Sequence, residues 1–102
     1  MSEYLEDVQR YDSGADRAVV DKIVKHLGIA LRSRDASLVS CSDQSELDRV
    51  IEKWGGKKLG MSEAAASEIV SKVCEEMDED RQKQRVTFYD LVAKHAGKLG
   101  DL

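Results

Sequence analysis

The sequence predicts an all-α fold, a compact array of about five short helices forming a single domain over residues 1–102. Three observations carry that expectation. Apolar residues recur three and four positions apart in successive stretches, the period of a helix with one buried face. Proline is absent and only five residues are Phe, Trp or Tyr, whereas strands draw on clusters of β-branched and aromatic side chains. Charged residues make up 35 % of the chain, above the ~25 % of ordinary globular domains, which suits helices with solvated outer faces.

The first helix is expected over residues 2–11, with Tyr4, Leu5, Val8 and Tyr11 at helical spacing and Ser2 as N-cap. Asp12-Ser13-Gly14 ends it. The second starts near Ser13 or Asp16, puts Val19, Val20, Ile23, Val24 and Leu27 on one stripe, and stops at Gly28. Ile29, Ala30 and Leu31 suggest a short additional piece. Residues 32–42 are rich in Ser and Asp, which compete for backbone hydrogen bonds, and read as a turn or short 3₁₀ piece anchored by Leu38 and Val39.

Asp43-Gln44-Ser45-Glu46 has the form of a capping box, with Asp43 as N-cap and Glu46 reaching back. The helix it opens aligns Leu47, Val50, Ile51 and Trp54, and Gly55-Gly56 is expected to stop it. Ser62 caps the next helix, with Met61 and Ala66 as a small hydrophobic staple. Its stripe of Ala66, Ile69, Val70, Val73, Cys74 and Met77 is the longest in the chain. The acids from Glu75 to Asp80 oppose the dipole at its C-terminus and predict a break near residues 78–82. The last helix runs from about residue 82 to 96, with Val86, Tyr89, Val92, Ala93 and Ala96 as core and Phe88 and Leu91 beside them. Gly97 ends it.

The net charge of −4 argues against generic nucleic-acid binding, which needs a basic footprint. The charge is uneven: residues 62–80 carry −6, residues 81–102 carry +3 and residues 1–61 carry −1. Cys41 and Cys74 are the two cysteines. With no secretion-type leader in view, they read as reduced, structural thiols in a reducing compartment. No apolar run approaches the ~20 residues that span a bilayer. A cytoplasmic location and no membrane association are the expectations.

No motif reaches the threshold of chemistry. Counted from Asp78, an EF-hand loop would place Lys83 where glycine is required and Tyr89 where glutamate is required. The segment from Gly55 to Ser62 has GxxxxG spacing, but Met61 stands in the place of the phosphate-loop lysine. His26 and His95 have no second ligand three or four residues away, so metal binding is not favoured over structural or surface roles. Ser40, Cys41 and Ser42 lack a base at readable spacing. Carboxylate pairs such as Asp48/Glu52 and Glu75/Glu79 are surface neighbours on a helix rather than a buried acid–base pair. No catalytic residue, metal or cofactor is expected.

Two binding features remain. Trp54 reads first as a core plug; its functional reading is an exposed hot spot. Lys53, Lys57 and Lys58, with Arg32 and Arg34, could hold an anion or single-stranded nucleic acid. The order Ser37-Leu38-Val39, then Ser42-Asp43, then Glu46-Leu47-Asp48, then Lys57-Lys58-Leu59-Gly60 resembles the bacterial family known as domain of unknown function 2853. The likeness extends over most of the chain, with Trp54-Gly55-Gly56 as a departure. It implies a small helical domain and transfers no activity, cofactor or site. The expectation is therefore a non-enzymatic protein-interaction domain with an unknown partner or self-association, with weak anion or nucleic-acid binding through Lys53, Lys57 and Lys58 as the alternative.

Overall fold

The computed structural model describes residues 2–28, 38–79 and 83–97. The elements follow in the order α1 (Ser2–Gln9), α2 (Arg17–Leu27), β1 (Leu38–Val39), α3 (Gln44–Arg49), a π-helix (Val50–Lys58), α4 (Glu63–Glu76), β2 (Lys83–Gln84) and α5 (Arg85–Ala96). The fold is all-α, with a minor two-stranded antiparallel ladder pairing Leu38 with Gln84 and Val39 with Lys83.

Helix α5 is the axis. Helices α1, α2, α4 and the π-helix all pack against it, so every residue from Arg85 to Ala93 is buried. A helix covered all round has no polar face to mark its register. That is why Phe88 and Leu91, placed beside the core from sequence, are fully buried, while Ala96 is only half-buried. The remaining stripes close onto this axis through Val8, Val20, Ile23, Val50, Ile51, Trp54, Ala66, Val70, Val73 and Met77. Ile69 and Cys74 lie at the edge of the α4 stripe rather than within the core.

Several ends follow local chemistry. Asp16 accepts from the Ala18 amide at 2.9 Å and caps α2, and Gly28 stops it at φ 44°. Asp43 accepts from the Ser45 and Glu46 amides, and Ser62 accepts from Ala65. Glu46 does not reach back to complete a capping box; its carboxylate is taken by Arg85. Leu38 and Val39 anchor their segment as expected, but in extended pairing rather than in a 3₁₀ turn, and Val39 is buried. The pieces expected at residues 29–37 and 80–82 lie outside the described residues.

Two further expectations are overturned. Gly55-Gly56 does not stop a helix: the chain continues through both glycines as a π-helix, with the Leu59 amide donating to the Trp54 carbonyl at 2.9 Å. The reason is close approach to α4. A Cβ built on Gly55 would lie 2.6 Å from the Ala66 Cβ, so glycine is the residue this packing admits. Gly55→Ala is expected to lose about 1–3 kcal/mol through overpacking, read as a lower urea midpoint. Gly56→Ala meets only the Ile51 carbonyl at 3.6 Å and should be neutral or gain up to about 1 kcal/mol from helix propensity. Equal effects of the two substitutions would contradict the packing assigned to Gly55.

The cysteines are also not separate reduced thiols. Cys41, after β1, and Cys74, on α4, form a disulfide with Cα atoms 6.0 Å apart. Their side chains sit close because the β1–β2 ladder delivers the segment after Val39 to the C-terminal half of α4. Sequence separation conceals the pairing.

Candidate functional site

Lysine side chains at positions 22 and 25 and the His26 ring share one face of α2, being three and four residues apart. The π-helix contributes Lys53, Lys57 and Lys58. The two elements meet where the His26 ring packs on the Trp54 indole, with centroids 5.0 Å apart at 53°. A depression of about 430 Å³ at this junction is lined by Lys22, Lys25, His26, Trp54 and Lys58. A second, of about 380 Å³, adjoins it and is lined by His26, Lys53, Lys57 and Lys58. Continuing the helix through Gly55-Gly56 is what puts Lys57 and Lys58 beside α2 instead of on a loose connector.

Trp54 is the hinge of the site without being an exposed anchor. It is fully buried, its Nε1–H donates to the Tyr89 carbonyl at 3.0 Å, and its ring packs on Tyr89 at 4.7 Å. A buried indole usually finds a partner for its N–H. The exposed hot-spot reading is excluded, and Trp54 instead fixes the distance between α2 and the π-helix.

The five lysines of this face are exposed. Among the described residues none of them has an acidic partner within 4.0 Å. Part of their placement is explained by helix ends, since Lys25 and His26 lie in the last turn of α2 and Lys57 and Lys58 in that of the π-helix. Cations offset the carbonyl dipoles there. That explanation does not cover Lys22 and Lys53. The His26 imidazole titrates below its ordinary value, first through partial burial and then through Lys58, so the face carries neutral imidazole among ammonium groups near pH 7. Arg32 and Arg34, considered with these lysines from sequence, lie outside the described residues.

Lys57 also borders an acidic depression lined by Asp48, Ile51, Glu52, Gly56 and Glu63. Among the described residues no group of three or more His, Cys, Asp or Glu side chains converges as a metal site. His95 instead pairs with Glu76 at 3.0 Å. No helix among the described residues is long and apolar enough to cross a membrane.

Two buried polar clusters escape sequence reasoning. Arg85 is 8 % exposed and joins Glu46 of α3, the Leu38 carbonyl of β1 at 3.2 Å and the Tyr89 hydroxyl at 3.5 Å. Asp90, on the far side of α5, is fully buried, and the nearly buried Asp12 of the α1–α2 turn lies beside it. Lys94 reaches Asp12 at 3.5 Å. Neither Asp90 oxygen has a hydrogen-bond donor among the described residues. A neutral carboxylic acid resolves this by donating its own proton to Asp12. Burial first, and then that bond and the Asp12 charge, push Asp90 up to about 7. The pair lies between the α1–α2 turn and α5, where α1 packs against α5.

A family model described as "Protein of unknown function (DUF2853)" matches residues 3–100. The chain belongs to this family. Membership covers all the elements that build the lysine face, from α2 through the π-helix, so that face sits inside the family domain rather than on an appendage. No curated protein and no solved structure matches the chain.

Proposed function

We propose that this DUF2853 member is a non-enzymatic binding domain that holds an anionic partner on the face formed by α2 and the π-helix. The observation that carries the reading is the convergence of Lys22, Lys25, Lys53, Lys57 and Lys58 around His26 without carboxylate partners among the described residues. Like charges held together cost free energy. An anion spanning the two helices would remove that cost and restore the charge of His26. The net charge of −4 makes attraction local to this face, so binding should weaken steeply with salt.

The test is binding of three probes over a series of salt concentrations: a labelled single-stranded oligonucleotide and a labelled acidic peptide by fluorescence anisotropy, and inorganic phosphate by titration calorimetry. Replacing Lys53, Lys57 and Lys58 together by alanine should weaken binding at least tenfold. It should also reduce the salt slope by about 2, at ~0.7–0.9 for each phosphate no longer neutralised. All three side chains are exposed, so the melting temperature should hardly move. Binding should also raise the pKa of His26, followed by its ring resonances. Absence of binding to all three probes at low salt would sink the proposal.

A second reading has its own observation. Residues 62–80 carry −6, and Glu63, Glu68, Glu75, Glu76, Asp78 and Glu79 are exposed. The acidic α4 side of one copy complements the lysine face of another, which would make the anionic partner a second copy. Sedimentation at low and high salt separates the readings, since self-association appears there as a salt-sensitive rise in mass. The cytoplasmic location expected from the sequence belongs to the same proposal. It requires Cys41–Cys74 to be a bond that thiols can open, because lasting disulfides are rare in that compartment.

A further inference from the structure

We propose that Cys41–Cys74 is a reversible thiol–disulfide exchange site whose substrate is a low-molecular-weight thiol or the thiol of a reducing protein. The observation is access. Both cysteines are half-buried rather than enclosed, and two adjoining depressions lead to the bond. One, of about 540 Å³, is lined by Leu38, Val39, Ser40, Cys41, Ser42, Asp78 and Lys83 and reaches Cys41 alone of the two. The other, of about 330 Å³, is lined by Cys41, Cys74, Glu75, Asp78 and Lys83. Open space beside the bond adds nothing to its stability, and accessibility is what makes a disulfide labile. This inference is independent of the lysine face.

The surroundings choose the sulfur. Cys41 borders both depressions and Cys74 only one, so an incoming thiolate reaches Cys41 Sγ more freely. Its attack forms a mixed disulfide on Cys41 and breaks the Sγ–Sγ bond. The electron pair goes to Cys74 Sγ, which takes a proton from water. A second thiolate attacks the sulfur of the bound thiol and expels Cys41 as thiolate, which is then protonated. Two thiols are oxidised to one disulfide while the protein disulfide is reduced to two thiols.

Opening the bond frees a ring that contains α3, the π-helix and most of α4. The segment at Cys41 is then held mainly by the two-residue ladder with β2 and by the Arg85 interactions with Leu38 and Glu46. Those remaining interactions keep the parts in register, so that the thiols can meet again and the bond can re-form.

The experiment measures exchange with reduced glutathione by intact mass under native conditions and in denaturant, on the intact chain. A site open in the folded state should react natively within about 100-fold of the denatured rate, and the trapped adduct should map to Cys41 by peptide mass. A site that reacts only after global unfolding would be slowed by at least about 10³-fold, the lower end of folding equilibrium constants, and that result would overturn the proposal. Cys74→Ser provides the second measurement: its remaining Cys41 should take up one glutathione from oxidised glutathione, while Cys41→Ser should react more slowly through Cys74. Equal reactivity of the two variants would refute the choice of Cys41. If the purified chain carries free thiols that oxidised glutathione fails to close into the disulfide, reversibility is refuted.

Discussion

Arg85→Ala should destabilise the domain by about 3 kcal/mol, because it strands a half-buried carboxylate and empties a junction between three elements. Arg85 lies at the first turn of α5 with only 8 % of its surface exposed. Its guanidinium donates to Glu46, to the Leu38 carbonyl and to the Tyr89 hydroxyl, and lies 5.8 Å from the Tyr89 ring centroid. Removal leaves Glu46 without its cation and the end of β1 without a donor, so the loss exceeds the ~0–1 kcal/mol of an exposed pair. Substituting both partners separates pairing from burial. An Arg85→Met, Glu46→Met double variant should recover most of the loss, since similarly sized apolar groups avoid the desolvation cost of the ion pair. Urea melts of the two single variants and the double variant give the coupling directly. A single-variant loss below about 0.5 kcal/mol would show that Arg85 is a surface cation that merely folds over the ladder.

The contrast between Arg85 and the lysine face shows which features a sequence exposes. Helix stripes and caps are local: Asp16, Asp43 and Ser62 each act on an amide two or three residues away, and spacing alone reveals them. Lys53, Lys57 and Lys58 are legible as a basic cluster because they lie within one short stretch. Their partners Lys22, Lys25 and His26 are not, since only the tertiary packing of His26 on Trp54 brings the two stretches together. Gly55-Gly56 misleads because glycine has two uses. It ends helices where φ is positive, as at Gly28 and Gly97, and it admits close packing, as at Gly55. Local sequence does not distinguish the two. Arg85 and Asp90 read as ordinary charges of a solvated helix face, and it is the wrapping of α5 on all sides that buries them. The Cys41–Cys74 pairing likewise needs the β1–β2 ladder, in which four residues of unremarkable composition join Leu38 to Gln84 and Val39 to Lys83 across the chain.

Asp90 gives the domain its strongest expected response to pH. Its carboxyl has moved from an ordinary 3.8 up to about 7, so between those values the folded state holds a proton that the unfolded chain releases. The unfolded state then binds fewer protons, and stability falls as pH rises from about 4 to about 7. The contribution is fully present below the unfolded pKa and is lost as pH passes through the folded one. Its full size is at most about 4 kcal/mol, from ~1.36 kcal/mol for each unit of displacement. Above pH 7 the ionised Asp90 sits fully buried beside Asp12, with Lys94 as the nearby cation that limits the penalty. Asn at position 90 keeps the shape, can donate an N–H to Asp12 and cannot ionise. Asp90→Asn should therefore be more stable than the parent by about 2 kcal/mol at pH 8, by removal of a buried charge. Near pH 4.5 the two should agree closely. Urea melts of both proteins at half-unit steps from pH 4 to 8.5 check this. A parent profile that rises over the same interval would mean that Asp90 is ionised and satisfied in the fold, with α1 held to α5 by an ion pair rather than by a shared proton.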